Sequence, residues 1–191
     1  AVGFFGGVHG VERVGAQIVL SYLRTTVERA LWDPLFREQL QQVRLVFMPM
    51  VNPGGIWRRT RANPNGVDLM RNAPIDATGD ANGKVPWLVG GHRYGNWLPW
   101  FRGHRASGME PEAMALVALA RRELMRSRFS LSVDVHSGFG TVDRLWFCYA
   151  RTHRPMEHLA EVRALSLLFD RTHPYHHEYL IEPQSVNYTT H

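Results

Sequence analysis

The sequence predicts an α/β fold in which helices flank a mixed sheet that is parallel at its centre. Short apolar runs alternate along the chain with longer segments whose apolar residues recur at helical spacing. The run at residues 43–51 is apolar and partly β-branched, which is typical of a strand buried on both faces. Strands that alternate with helices favour parallel pairing, so the middle of the sheet is predicted to be parallel.

The first elements are predicted as strand, helix and strand. Residues 1–8 form an apolar run that is typical of a strand. Residues 12–31 carry apolar side chains at near-helical spacing, and residues 33–34, Asp-Pro, are predicted to end this helix. The strand at residues 43–51 follows, and the Asn-Pro-Gly-Gly sequence at residues 52–55 is predicted to turn the chain away from it.

The later elements are separated from the first three by a long connection. Residues 56–108 are rich in Gly, Pro, Asn and Arg and are predicted to form functional loops that wall a site. Helical spacing returns at residues 110–128, with Pro111 suited to the first turn, and a strand is predicted at residues 129–135. The last predicted elements are a strand, a helix and a short extended piece, at residues 144–150, 155–171 and 179–181.

Length and composition fit one domain. The chain has 191 residues, of which 45% are hydrophobic, enough for a core of ordinary size. It opens inside a predicted strand and stops at His191 without a terminating element. We therefore expect residues 1–191 to be a single domain of a longer protein, incomplete at both ends and lacking its C-terminal part.

Charge and cysteine content narrow the classes of partner. The net charge is +5, with Lys84 the only lysine, yet no segment combines a basic stripe with interleaved aromatic residues, so no nucleic-acid partner is predicted. No run reaches the roughly 18 apolar residues of a membrane span, so no membrane partner is predicted. The single cysteine, Cys148, excludes an internal disulfide, and the sequence is compatible with the cytoplasm without identifying a compartment.

The chemistry of the chain is predicted at two strand ends. His9 follows the first strand, Glu12 follows three residues later at the start of a helix, and His136 follows the strand at residues 129–135. The carboxyl ends of parallel strands meet at one edge of a sheet, so these side chains are expected to converge. Two imidazoles and a carboxylate are the donors of a catalytic zinc site, which leaves a fourth position for water. Glu12 alone also suits a helix start, and either histidine alone suits a loop.

Further motifs occur in a fixed order along the chain. They comprise Asn52-Pro53-Gly54-Gly55, Trp57-Arg58-Arg59-Thr60-Arg61, Asn65-Gly66-Val67-Asp68-Leu69-Met70-Arg71-Asn72 and His136-Ser137. With the His-x-x-Glu pair, this set resembles the zinc carboxypeptidase family, the carboxypeptidase A-like metallopeptidases. The resemblance spans residues 9–137, and the motifs are specific together although each is weak alone.

The resemblance implies a role for each matching residue. His9, Glu12 and His136 would bind one Zn²⁺, and Asp68 would accept a hydrogen bond from His9 that fixes the tautomer of this ligand. Arg61 would be catalytic, because the matching arginine stabilises the oxyanion that forms at the scissile carbonyl. Arg71 would bind the terminal carboxylate of the substrate.

Two departures from the family pattern bear on this prediction. The family has Asn directly before the carboxylate-binding arginine, where this chain has Met70, which offers no donor. Asn72 is the nearest substitute, and on an extended strand it would point to the same side as Met70. The family also has a general-base Glu far downstream of the third ligand. Glu178 and Glu182 are the only carboxylates after Asp170, and neither resembles that motif, so we expect the base to be missing from this chain.

The predicted function is that of a zinc metallocarboxypeptidase that hydrolyses peptide bonds at or near the C-terminus. One alternative is an amidohydrolase or deacylase of the same superfamily that acts on N-acyl amino acids. Another is a binding module that holds zinc and a carboxylate without catalysis. The expected partner is a peptide or an N-acyl amino acid, and the oligomeric state is not predicted.

Overall fold

The computed structural model describes residues 1–75, 95–138, 144–145, 155–172 and 177–178. The strands are β1 (Val2–Gly6), β2 (Leu45–Met48), β3 (Leu131–Val135), β4 (Arg144–Leu145) and β5 (His177–Glu178). The helices are α1 (Arg13–Trp32), α2 (Pro34–Gln42), α3 (Pro53–Arg58), α4 (Pro111–Leu119) and α5 (Leu159–Thr172).

The described strands form two parallel sheets. β1 lies at the centre of a three-stranded sheet, between β2 and β3, and both pairings are parallel. β4 and β5 form a two-stranded parallel pair. Gly6 at the end of β1 is in register with Val135 at the end of β3, so His9 and His136 leave the same edge of the sheet. The predicted α/β fold with a parallel centre is confirmed.

Helices cover both faces of the three-stranded sheet. Phe4 packs its ring against Tyr22 of α1 at 4.8 Å and against Phe47 of β2 at 5.4 Å, measured between ring centroids. The next residue, Phe5, points to the opposite face and joins a buried cluster with Ala113 and Leu124. α1 approaches the sheet at Gly15, where a Cβ would lie 2.1 Å from the carbonyl oxygen of Val135. This contact brings the start of α1 next to His136.

Residues expected to end elements also begin new ones. The Asp-Pro pair that ends α1 starts α2, because the Asp33 carboxylate accepts a 3.0 Å hydrogen bond from the Phe36 amide and Pro34 occupies the first turn. The Asn-Pro-Gly-Gly sequence at residues 52–55 likewise leads the chain away from β2 and, beyond the prediction, starts a helix. Asn52 accepts a 2.8 Å hydrogen bond from the Gly55 amide and caps α3.

Other element boundaries shift by several residues. The strand predicted at residues 43–51 is limited to Leu45–Met48, and the helix predicted at residues 110–128 ends at Leu119 and continues as a π turn, Ala120–Leu124. The predicted loop at residues 56–108 begins inside α3 and contains a 3₁₀ turn at Arg105–Ser107. Its residues 76–94 lie outside the described residues, as do residues 146–150 and 179–181.

No helix in the described part of the chain combines the length and the apolar content needed to cross a membrane.

Candidate metal centre

Three potential ligands meet at the carboxyl edge of the sheet. One ligand atom from each of His9, Glu12 and His136 lies within 4.8 Å of the others. Glu12 stands between the two histidines. Its Oε1 lies 3.0 Å from Nδ1 of His9, and its Oε2 lies 3.1 Å from Nδ1 of His136. The structure therefore brings together the three residues that the sequence predicts as metal ligands.

The segment that leads to His9 is fixed by the chain that follows β2. The amides of Val51 and Asn52 donate to the carbonyls of Gly6 and Gly7, both at 3.0 Å. The fully buried Asn52 side chain donates to the carbonyl of Val8 at 3.2 Å. These bonds continue the β1–β2 pairing beyond the strands, so His9 leaves a rigid backbone.

Glu12 is oriented by the chain beyond β3. Its Oε2 accepts a 3.0 Å hydrogen bond from the amide of Ser137. Gly138 lies so close that an added Cβ would be 2.4 Å from Oε1 of Glu12. The absence of a side chain at residue 138 therefore makes room for the carboxylate.

We expect Gly138→Ala to displace the Glu12 carboxylate and to weaken zinc binding by about 10- to 100-fold, the range seen when a ligand's support is lost. The measurement is zinc affinity in competition with a chelator. Gly108→Ala is the control, since an added Cβ there meets no atom within 4 Å although its φ of 68° strains an alanine. Equal zinc loss in both variants would show that general destabilisation, not displacement of Glu12, releases the metal.

In each of the two histidines, Nδ1 faces Glu12 and Nε2 faces a different carboxylate. Nε2 of His9 lies 3.1 Å from Oδ1 of Asp68, and Nε2 of His136 lies 2.7 Å from Oδ2 of Asp134. Asp68 was predicted in this position, whereas Asp134 was not. The sequence signal for Asp134 was its position two residues before His136, because residues two apart on a strand share a face.

Asp68 is fully buried and joins the histidine to both predicted functional arginines. Its Oδ2 accepts from Nε of Arg61 at 3.0 Å and from Nη1 of Arg71, and its Oδ1 accepts from the amide of Met70 at 3.1 Å. Burial alone would raise the pKa of Asp68, but the hydrogen bond from His9 and the charges of Arg71 and Arg61 hold that pKa well below its usual range. Asp68 is therefore a carboxylate anion at neutral pH.

The two arginines differ in exposure. The side chain of Arg61 is 32% exposed, and its Nη1 lies 3.8 Å from Oε1 of Glu12. The side chain of Arg71 is only 8% exposed. Arg61 thus reaches the predicted metal ligands from the solvent side, while Arg71 is held inside the protein against Asp68.

Asn72 lies in a turn rather than on an extended strand, since the amide of Arg71 bonds to the carbonyl of Asp68 at 3.0 Å. The expectation that Asn72 and Met70 share a strand face was therefore wrong. The side-chain amide of Asn72 donates to the carbonyls of Arg102 and Gly108 at 2.8 and 3.5 Å. Its oxygen accepts from the Glu110 amide at 2.6 Å, so Asn72 connects the loop to the start of α4.

The charge state of His136 follows from the two carboxylates that flank its ring. Burial acts to lower the pKa of His136, but the hydrogen bonds and charges of Asp134 and Glu12 raise that pKa to about 10. The pKa of Glu12 is lowered well below its usual range, because the bonds from His136, His9 and the Ser137 amide outweigh its burial. A proton between His136 and Glu12 therefore stabilises the metal-free protein.

We expect the metal-free protein to lose stability as the pH rises towards 10. The folded pKa of His136 is raised above the ordinary value near 6.5, so its contribution is complete below about pH 6.5 and is lost as the pH rises through about 10. Thermal unfolding of chelator-treated protein across this range measures the effect. A His136→Gln variant should show a shallower dependence, and an equal slope in the two proteins would contradict the assignment.

The donor set fits zinc, although other divalent ions bind the same donors. Two imidazole nitrogens and one carboxylate are the three protein ligands typical of a catalytic zinc site, and both imidazoles are oriented by a carboxylate on the outer side. A parallel sheet with this cluster at its carboxyl edge is the arrangement expected of an α/β metalloenzyme.

The chain belongs to the zinc carboxypeptidase family, whose model matches residues 1–191. Carboxypeptidase SOL1 of Arabidopsis thaliana is 38% identical over 71 residues, which are 37% of this chain and 14% of that protein. The crystal structure of thrombin activatable fibrinolysis inhibitor has a similar fold, with a TM-score of 0.63 and 17% identity. That match covers 93% of this chain and 46% of the other, so the chain spans less than half the length of these relatives.

Proposed function

We propose that the protein to which this chain belongs is a zinc-dependent metallocarboxypeptidase that hydrolyses peptide bonds at or near the C-terminus of its substrate. The observation that carries this proposal is the junction at Asp68. One buried carboxylate contacts His9 of the metal cluster, Arg61 and Arg71. A metal site and two anion-recognising groups in one network suit a substrate that presents a carbonyl and a carboxylate together.

Each residue of the network is proposed to have one role. His9, Glu12 and His136 would hold one zinc ion, which when bound supplies Lewis acidity to a carbonyl and lowers the pKa of a bound water. Asp68 would keep the proton of His9 on Nε2, so that Nδ1 is free to bind metal. These roles follow from the directions in which the ring nitrogens point.

The arginines are proposed to recognise the two anionic groups of the reaction. Arg61 approaches Glu12 and is partly exposed, so its guanidinium would donate to the oxygen on which charge develops during hydrolysis. Arg71 would bind the terminal carboxylate of the substrate, because a fixed guanidinium matches the geometry of a carboxylate. Its pairing with Asp68 supports this role by fixing the plane of the guanidinium.

We propose that Asn72 contributes to substrate binding by holding the Arg71 turn in place. Both N–H groups of its side-chain amide already donate to backbone carbonyls, so the amide has no further donor for a substrate anion. Its oxygen fixes the Glu110 amide at the start of α4. The effect of Asn72 on substrate would therefore act through the position of Arg71.

The alternative function is that of a deacylase that acts on N-acyl amino acids, and Met70 does not distinguish it from a peptidase. Met70 stands where the family has Asn, and its side chain is buried in the hydrophobic core with Val51 and Leu69. It therefore adds no polar group to a carboxylate pocket. A deacylase acting on N-acyl amino acids would use the same metal and the same arginine on a smaller substrate. The non-catalytic alternative is a module that binds zinc and a carboxylate.

The proton acceptor for hydrolysis is proposed to come from a part of the protein outside this chain. Removing a positioned general base from such a reaction costs roughly 10² to 10⁴ in rate. The carboxylates that follow Asp170 are Glu178 and Glu182, and neither stands in a sequence that resembles the base motif of the family. We therefore propose that residues 1–191 alone bind metal and bind substrate weakly, with little turnover.

Metal analysis of the full-length protein, combined with hydrolysis of blocked dipeptides that carry free or amidated C-termini, tests the proposed function. A carboxypeptidase should contain one zinc and should cleave only the substrates with a free C-terminus. Cleavage of N-acyl amino acids in preference to dipeptides would favour the deacylase. Zinc binding without cleavage of either class would favour the non-catalytic module.

A further inference from the structure

We propose that Asp134 is a positioning residue that holds His136 for zinc, as Asp68 is proposed to hold His9. This inference rests on the proposed zinc site. Carboxylates are arranged in the same way around both histidines. Nδ1 of each ring faces Glu12, while Nε2 faces Asp68 in His9 and Asp134 in His136. The structure therefore assigns a carboxylate partner to both predicted histidine ligands.

The position of Asp134 on the strand explains this contact. Asp134 is the fourth residue of β3, and His136 follows the strand directly, so the two side chains leave the same face. Oδ2 of Asp134 lies 2.7 Å from Nε2 of His136, on the opposite side of the ring from Glu12. A carboxylate anion only accepts, so this contact places a proton on Nε2 and directs the lone pair of Nδ1 towards the metal position.

The second oxygen of Asp134 argues against a role in the fold alone. Oδ1 is buried and has no hydrogen-bond donor among the described residues. The Asp134 side chain as a whole is 22% exposed, but a buried oxygen without a donor costs free energy that an apolar residue at this position would avoid. The contact with His136 compensates the charge of Asp134, and a divalent ion bound to His136 would compensate it further.

The experiment compares zinc affinity in the wild-type protein, Asp134→Asn and Asp134→Ala. Asp134→Asn removes the charge but keeps the shape, and Asp134→Ala also removes the acceptor. Ser132→Ala is the matched control, because Ser132 lies two residues earlier on the same face of β3 and is exposed. We expect affinities that are lower by about 10-fold for Asn and about 100-fold for Ala, and an unchanged affinity for Ser132→Ala.

Nitrogen-15 NMR of the zinc-loaded protein supplies a readout that a purely structural role would not change. The N–H signal at Nε2 of His136 should be protected from exchange in the wild type and lost in Asp134→Ala, while the signal of His9 persists. If Asp134→Ala keeps the zinc affinity of the wild type and a protected His136 signal, the role of Asp134 is refuted while the proposed function stands. A wild-type protein that binds no zinc would overturn the inference together with the proposed function.

Discussion

The variants His9→Ala and His136→Ala are expected to hold less than one zinc ion per chain, and their double variant is expected to hold almost none. Each substitution removes one of the three proposed ligands and leaves Glu12 with a single imidazole neighbour. Loss of an outer-shell partner already costs about 10- to 100-fold in metal affinity, so loss of a ligand should cost more. Metal analysis after dialysis against a weak chelator measures the effect.

His158→Ala is the control for the histidine variants, because the His158 side chain is 75% exposed and lies 3.7 Å from Glu161 on α5, apart from the cluster. This variant should keep the zinc content of the wild type. A full complement of tightly held zinc in the double variant His9→Ala/His136→Ala would refute the proposed site. Circular dichroism of the variants separates loss of a ligand from loss of the fold.

The grouping of His9, Glu12 and His136 was predictable because strand ends are visible in a sequence. The apolar runs before His9 and His136 identify two strands, and parallel pairing brings their carboxyl ends together. The partner of His136 was not predicted, since the spacing places Asp134 on the same strand face as His136 but does not show that the two side chains meet. Only the structure shows that the side chain of Asp134 turns back to the imidazole at 2.7 Å.

The loop contacts were harder to predict than the sheet, because they depend on residues that are distant in sequence. Asn63 illustrates this: its oxygen accepts from the amides of Asn65 and Val67, while its nitrogen donates to Glu110, 47 residues away. Asn72 likewise bonds to Arg102, 30 residues away. Local spacing cannot reveal such pairs, and it led to the wrong assumption that Met70 and Asn72 lie on one extended strand.

The structure also determines which substitution tests Arg71. A charge reversal would place a second carboxylate beside Asp68, which is fully buried, and two adjacent carboxylates would destabilise the turn that carries both residues. Arg71→Gln removes the charge and keeps a polar side chain of similar reach. This variant still leaves Asp68 with hydrogen bonds from His9, Arg61 and the Met70 amide. We therefore expect the metal site to survive the substitution.

Arg71→Gln is expected to weaken the binding of free amino acids, the products of carboxypeptidase action, by about 10- to 100-fold while the zinc content stays at the wild-type level. A hydrogen bond to a charged group contributes about 1.5–3 kcal/mol, and each 1.4 kcal/mol corresponds to a factor of ten in affinity. Inhibition of the full-length enzyme by a panel of free amino acids and their amides measures the effect. Arg59→Gln is the matched control, since Arg59 is exposed and directly follows α3. The amides should inhibit the wild type and Arg71→Gln equally, because they lack the carboxylate that Arg71 would bind. If the free amino acids inhibit Arg71→Gln as strongly as the wild type, Arg71 does not recognise the carboxylate.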